Sequence, residues 1–411
     1  MSSSYRKSMR SRGAPSAAIA FALAVGLPTG VALAAETYVQ PQLDLSLESN
    51  DNWDLSPGGG GDSVMGYIAD AQALIGIATQ RSDTSIRPRI SYATYPDADQ
   101  DWVNGFLDFK SQYLWERSEF DVLARYAYED IYDVRIADAA FDDFDPEDPN
   151  VPDTARQVVG EVSKRFNFAP SYSFRWSERT RVGAGAYYQQ SRHENDAQED
   201  YDYVLGEAFF AWTLNPKSEL RVTPYASYFE VKEDDGGQTS AYGMNVAYAY
   251  RWSEISGLEV SIMYEDNDVT DYTPEKTSES TSGVGGNLTA YLNGTRDQWR
   301  FMLDSGWYPT GDGGKQKTDQ ARLQYRRDLT QRLQFNGAAR YLRTRALSSS
   351  DDTDDRDYAR LELSLRWMAS PNWYVGGGYN LTWQEYVIEQ DSAENNQFFL
   401  SCGYLGLGRK P

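Results

Sequence analysis

The chain of 411 residues sets 39 Lys and Arg against 61 Asp and Glu, a formal charge of −22, with 40% hydrophobic residues, one His and one Cys. That acidic surplus excludes a nucleic-acid binder, and no stretch beyond the N-terminal region approaches the roughly 18 uninterrupted apolar residues of a spanning helix. One Cys and one His leave no disulfide framework and no Cys/His cluster, so neither a cofactor nor a metal is expected.

Arg6, Lys7, Arg10 and Arg12 precede an apolar run from Ala17 to Leu33, and Ala32-Leu33-Ala34 offers small residues at the positions a signal peptidase reads. Residues 1–34 are therefore expected to be a Sec-type signal and 35–411 the exported protein, in which Cys402 has no partner. Two-residue alternation begins at Tyr38–Leu47. It recurs in Leu220–Tyr228, Tyr242–Trp252, Leu361–Trp367 and Trp373–Leu381, where one alternate set is apolar or aromatic. Such runs are strands with one apolar and one polar face. They last about 10 residues, the length of a tilted strand crossing a bilayer, against about 5–6 in soluble sheets.

Short and long connections alternate along the chain. The short ones are Arg81–Thr84, Arg117-Ser118, Ser177–Thr180, Asn215–Ser218, Ser253–Ser256, Asn293–Asp297, Asp328–Gln331 and Ser370–Asn372. Between and around them lie Asn50–Asp62, Pro96–Asp101, Asp130–Asp153, Ser191–Asp200, Glu233–Gln238, Asp268–Thr281, Thr310–Gln316, Ala346–Arg356 and Glu389–Asn395. This pattern predicts an all-β, antiparallel, up-and-down transmembrane barrel of about 18 strands, with tight turns at one end and extended loops at the other. Sixteen strands remain the alternative, because Thr154–Trp176 is long for one strand and contains Pro170. Tryptophan supplies an independent signal. Trp115, Trp176, Trp212, Trp252 and Trp367 come just before a short turn, and Trp299 and Trp373 just after one, as in an aromatic girdle at a membrane interface.

The apolar parity fixes the other face as lumenal. Its positive groups are Arg87, Arg89, Lys110, Arg125, Arg175, Arg221, Arg251, Arg300, Arg322, Arg326, Arg340, Arg360 and Arg366, and its acids include Asp44, Asp70, Asp108, Asp121, Glu207, Glu259, Asp304 and Glu362. Facing charges of this kind imply a hydrated lumen whose field would filter charged solutes, or ion pairs that only brace the wall. With alternation starting at Tyr38, a constriction is expected from loops. The candidate is the acidic stretch 130–153, with Asp142, Asp143, Asp145, Glu147 and Asp148, read either as an inward eyelet or as a solvated outer loop. His193, in Ser191-Arg192-His193-Glu194, could serve a rim hydrolase, although a lone loop His beside acids is more often a solvated residue.

Three segments carry a family likeness: the turn and strand Leu329–Phe335, the acidic loop leading into Arg356-Asp357-Tyr358, and the closing hairpin Trp367–Tyr379. In these the chain resembles the porin-type bacterial outer-membrane β-barrels, some of them associated with surface-polysaccharide and protein-sorting loci. The resemblance implies a Gram-negative outer-membrane location and no catalysis. It also implies outer-membrane lipid and the barrel-assembly machinery as partners, with an anionic oligosaccharide or export-system proteins as further ones. Barrels of this kind usually end in an aromatic residue read during assembly, whereas this chain ends Gly408-Arg409-Lys410-Pro411, so that either Tyr404 takes that part from inside or insertion is less standard. The expected function is passage of polar or anionic solutes such as saccharides; the alternative is a non-conducting accessory barrel in polymer or protein export.

Overall fold

The computed structural model describes residues 35–53, 55, 63–131, 161–194, 199–232, 237–271, 277–309, 315–346, 355–386 and 391–406. The first strands are β1 (Glu36–Asn50), β2 (Val64–Ala78), β3 (Ser82–Tyr95), β4 (Gln100–Leu114), β5 (Ser118–Ile131) and β6 (Glu161–Arg175). There follow β7 (Thr180–His193), β8 (Tyr201–Asn215), β9 (Ser218–Val231), β10 (Gln238–Ser253), β11 (Ser256–Asp271) and β12 (Thr277–Asn293). The last are β13 (Asp297–Pro309), β14 (Lys315–Asp328), β15 (Leu333–Ala346), β16 (Arg356–Met368), β17 (Trp373–Tyr386) and β18 (Asp391–Leu405). Each strand pairs antiparallel with its chain neighbours, and β1 pairs with β18, so the 18 strands close into a barrel. Closure gives every strand a neighbour on both sides, which is what a bilayer demands of strands that cross it.

The local chemistry of the short turns explains their tightness. Thr79, Ser177, Asn215, Ser253, Thr330 and Ser370 each accept, through a side-chain oxygen, the backbone N–H two residues on, at 2.9–3.3 Å. This local bond mimics a backbone turn and reverses the chain within a few residues. The eight short turns fall within a few residues of where the sequence places them, whereas the last long connection, expected at Glu389–Asn395, is over by Asp391, where β18 begins.

Pro170 does not break β6. It pairs with Val122 of β5, whereas on the β7 side the register jumps from Phe168↔Tyr188 to Ser171↔Gly185. A proline lacks the N–H that one ladder needs, so it is accommodated where one neighbour gives up a pair. Pro88 and Pro224 do the same, each complete on one side and interrupted on the other. The 16-strand alternative is thereby excluded.

Because paired residues share a face, the register fixes both surfaces of the barrel. One row around the outside runs Leu47, Leu400, Gly377, Leu365, Phe335. Apart from Leu114 at the end of β4, the large hydrophobics left exposed on the strands lie on this outer parity, among them Ile262, Tyr264, Val284, Phe398 and Leu400. Apart from Val162 and Ser218, the buried side chains on the strands lie on the inner parity, concentrated toward the long-loop end. Two apolar clusters sit there, Tyr187, Tyr201, Tyr203, Phe229 and Val231 on β7–β9, and Val64, Ala93, Tyr95 and Trp102 on β2–β4. Each large side chain so buried contributes roughly 1.5–3 kcal/mol. The inner face is thus not uniformly polar, as alternation alone implied.

Candidate functional site in the barrel lumen

An apolar exterior around an inner face rich in charge inverts the order of a soluble barrel and defines a membrane-spanning one. The Trp girdle agrees. Trp115, Trp176, Trp212, Trp252, Trp367 and Trp373 are exposed at the short-turn end, and Trp299, half-buried, lies at the same level. Several carry an aromatic neighbour: Trp115 lies 4.3 Å from Tyr113, Trp252 6.2 Å from Tyr250, and Trp373 5.2 Å from Tyr404 of the closing strand.

All the lumenal charges read from the sequence fall on the inner parity, but the structure sorts them into groups. On β2–β5, Asp108 accepts from Arg87 at 3.1 Å and Arg125 at 2.6 Å, while Arg89 donates to Asp70 at 2.7 Å and lies over the Phe106 ring at 5.4 Å. On β7–β9, Glu219 holds Arg181 at 3.4 Å and Arg221 at 3.7 Å, with both guanidinia over Phe209. These two groups brace the wall by pairing.

The wall from β13 to β16 carries a larger surplus of arginine. Arg322 pairs in register with Arg340, and Arg340 with Arg360, so three arginines stand in one row across three neighbouring strands. Arg300, Arg326, Arg356 and Arg366 share their face; Arg360 is held to Glu362 at 2.6 Å, and Arg366 lies 4.6 Å over Tyr374. Like charges directly across a ladder are destabilising, and the repulsion grows where water is scarce. Their solvation is graded, from exposed Arg326 near the turns through half-buried Arg322 and Arg340 to buried Arg360 and Arg356. Such a row makes a strip of positive potential along one side of the lumen.

The two ends of the lumen differ as well. Near the short turns Lys110, Arg175, Arg251, Glu259 and Arg326 are exposed. Near the long loops Asn104, Gln189, Asn267, Thr318 and Thr344 are no more than 1% exposed, and the Tyr95 hydroxyl donates to the buried carboxylate of Glu48 at 2.5 Å. The inner wall is exposed at the turn end, and its side chains are buried toward the loop end.

Sequence reasoning omitted Arg165, Arg181 and Arg356 from the inner face. Arg165 lay in the segment of unsettled register, Arg181 next to a turn, and Arg356 at the edge of a loop; the parity of their strands was the signal available. Asp142, Asp143, Asp145, Glu147 and Asp148 lie outside the described residues. His193 is not a solvated loop residue. Its side chain is 1% exposed, with Nδ1 3.1 Å from the Glu199 carbonyl oxygen and Nε2 3.4 Å from the hydroxyl of Ser191, itself fully buried. A nucleophile and base closed off from solvent offer a substrate no approach, so the pair fastens the rim.

No family model matches the chain, and no curated protein matches it in sequence. Among solved structures, Pseudomonas aeruginosa OpdL matches at 12% identity over 90% of this chain and 99% of its own, with a TM-score of 0.43. OccK2 (OpdF) of the same organism, solved in complex with glucuronate, matches at 12% identity over 90% and 98%, with a TM-score of 0.44. Acinetobacter baumannii OccAB3 matches at 10% identity over 90% and 99%, with a TM-score of 0.44.

Proposed function

We propose that the protein is a non-enzymatic channel of the Gram-negative outer membrane that passes polar, preferentially anionic solutes such as acidic saccharides. The observation that carries this reading is the arginine row Arg322, Arg340, Arg360, with Arg300, Arg356 and Arg366 beside it. Arginine outnumbers carboxylate on this wall, so the row lowers the barrier for anions and raises it for cations. The paired clusters on β2–β5 and β7–β9 each hold one more arginine than carboxylate, so they bias the charge of what passes less than the row does. In this reading residues 1–34 direct export, Tyr404 is read by the assembly machinery, and lipid covers the outer apolar band.

The test is single-channel recording of the refolded mature chain in a planar bilayer. Stable conductance steps with anion preference, reduced by an acidic oligosaccharide, are expected; cation preference would overturn the reading. The buried loop-side half of the inner wall favours a second reading, an accessory barrel that conducts little and serves an export system. Electrical silence from a folded, heat-modifiable barrel would select it.

A further inference from the structure

The ladder between β12 and β13 stops partway. Their register runs from Asn293↔Gln298 to Gly286↔Ser305 and ends there, although β12 continues to Thr277 paired with β11, and β13 to Pro309 paired with β14. Two adjacent strands thus run on side by side without the pairs Gly285–Gly306, Val284–Trp307 and Gly283–Tyr308 that the register would give. Taking about 3.3 Å per residue and a tilt of about 40°, the break begins about 18 Å above the turns, inside an apolar band of about 25 Å. Ile262, Val284 and Tyr264, 64%, 61% and 51% exposed, place it at the level of lipid. Backbone left without a ladder at that depth is tolerated only where it lines a cavity or is covered by protein.

Here the second condition holds. A side chain on Gly285 would strike the Ser305 carbonyl, and one on Gly283 would meet the Trp307 ring at 2.9 Å. Both glycines are on the inner parity, so β13 passes behind β12, and the outward-directed Trp307 lands against the inner face of its neighbour. Glycine permits this close approach. Beside the overlap lies a cavity of about 480 Å³ lined by residues of both parities, Val260, Leu288, Leu303 and Asp319 of the outer and Asp304 and Gln320 of the inner. Gln320 is 9% exposed, and its Oε1 is buried with no hydrogen-bond partner. An orphaned buried acceptor costs about 1–3 kcal/mol and calls for a donor.

We propose that the β12–β13 overlap is a lateral gate, with Trp307 as its leaf, through which an amphiphile with one acyl chain and a hydrogen-bond-donating head moves between the lumen and the outer leaflet. The head donates to Gln320 while the chain lies among Val260, Leu288 and Leu303. This rests on the protein spanning the outer membrane and not on ion conduction, so the two can fail separately.

The test uses the full mature chain in proteoliposomes, with Cys402→Ser removing the exposed native thiol. Val284→Cys and Trp307→Cys stand opposite each other if the register is continued past the break. The probe is dodecanoyl ethanolamide bearing a nitrobenzoxadiazole fluorophore. Oxidation is expected to form the disulfide and cut probe transfer about tenfold, with ion conductance unchanged and reduction restoring transfer. Failure of the disulfide to form, equal transfer in both redox states, or a parallel fall in conductance would each overturn the gate. In the otherwise native chain, Gln320→Leu should erase the preference for this probe over the methyl ester with the same fluorophore, and a preference that survives would remove Gln320 as the head's acceptor.

Discussion

The turn-side and loop-side halves of this barrel are made from the same strands, yet they use charge in opposite ways. At the turn end, inward Lys110, Arg175, Arg251 and Arg326 stand in water behind a ring of tryptophans. At the loop end the inner face is buried, and some of its polar groups bond to one another, as Tyr95 does to Glu48. A charge at the turn end keeps its hydration and is cheap; one in the buried half must be partnered or costs several times as much. The arginine row matters because it spans the transition between these regimes.

Substitutions should break this comparison where it is strongest. Replacing Arg322 and Arg340 together by Glu reverses the strip where solvation begins to fail, and the anion-to-cation permeability ratio should fall by about tenfold or more; an unchanged ratio in bilayer recordings would place the selective element elsewhere. Glu48→Ala removes the acceptor of the Tyr95 hydroxyl in the buried half, with an expected loss of about 1–3 kcal/mol in urea unfolding from lipid vesicles.

Smaller effects mark the wet boundaries. Lys232, at the loop rim, lies 2.5 Å from Glu230 and 3.2 Å from Asp202, and hydrogen bonding to Glu230 holds its ammonium above the ordinary lysine value. Its contribution is therefore complete below the unfolded value of about 10.4 and lost as pH rises through the higher folded value. Screening keeps it small, so Lys232→Ala should cost under about 1 kcal/mol, and the difference from the parent should vanish in strongly alkaline unfolding experiments. Lys110→Ala, at the turn end, should stay within about 0.5 kcal/mol; a larger loss would show that the turn-side half is buried after all.

Much of this architecture was legible in the residues. The two-residue period placed the strands, and Ser, Thr and Asn at the turn starts placed the reversals. The same parity assigned Arg322, Arg340 and Arg360 to one face. It could not show that they form a row, because that depends on the stagger between strands, nor that β6 crosses in one piece, because Pro170 reads as a breaker until a neighbour is seen to give up its pairs. His193 misled for a related reason: in the chain it sits among acids, but the rim folds over it.

Sequence by itself determined which residues meet lipid and which meet the lumen, since alternation is a local property of extended chain and needs no partner to be read. Only the tertiary structure decided where the inner face is buried and where the wall is broken. Tyr187, Tyr203 and Phe229 become a packed cluster because neighbouring strands bring them level. Gly283 and Gly285 become a site of overlap because two strands that are each regular leave their register at Ser305. Both are relations between strands, set by closure of the ring, and no single strand records them.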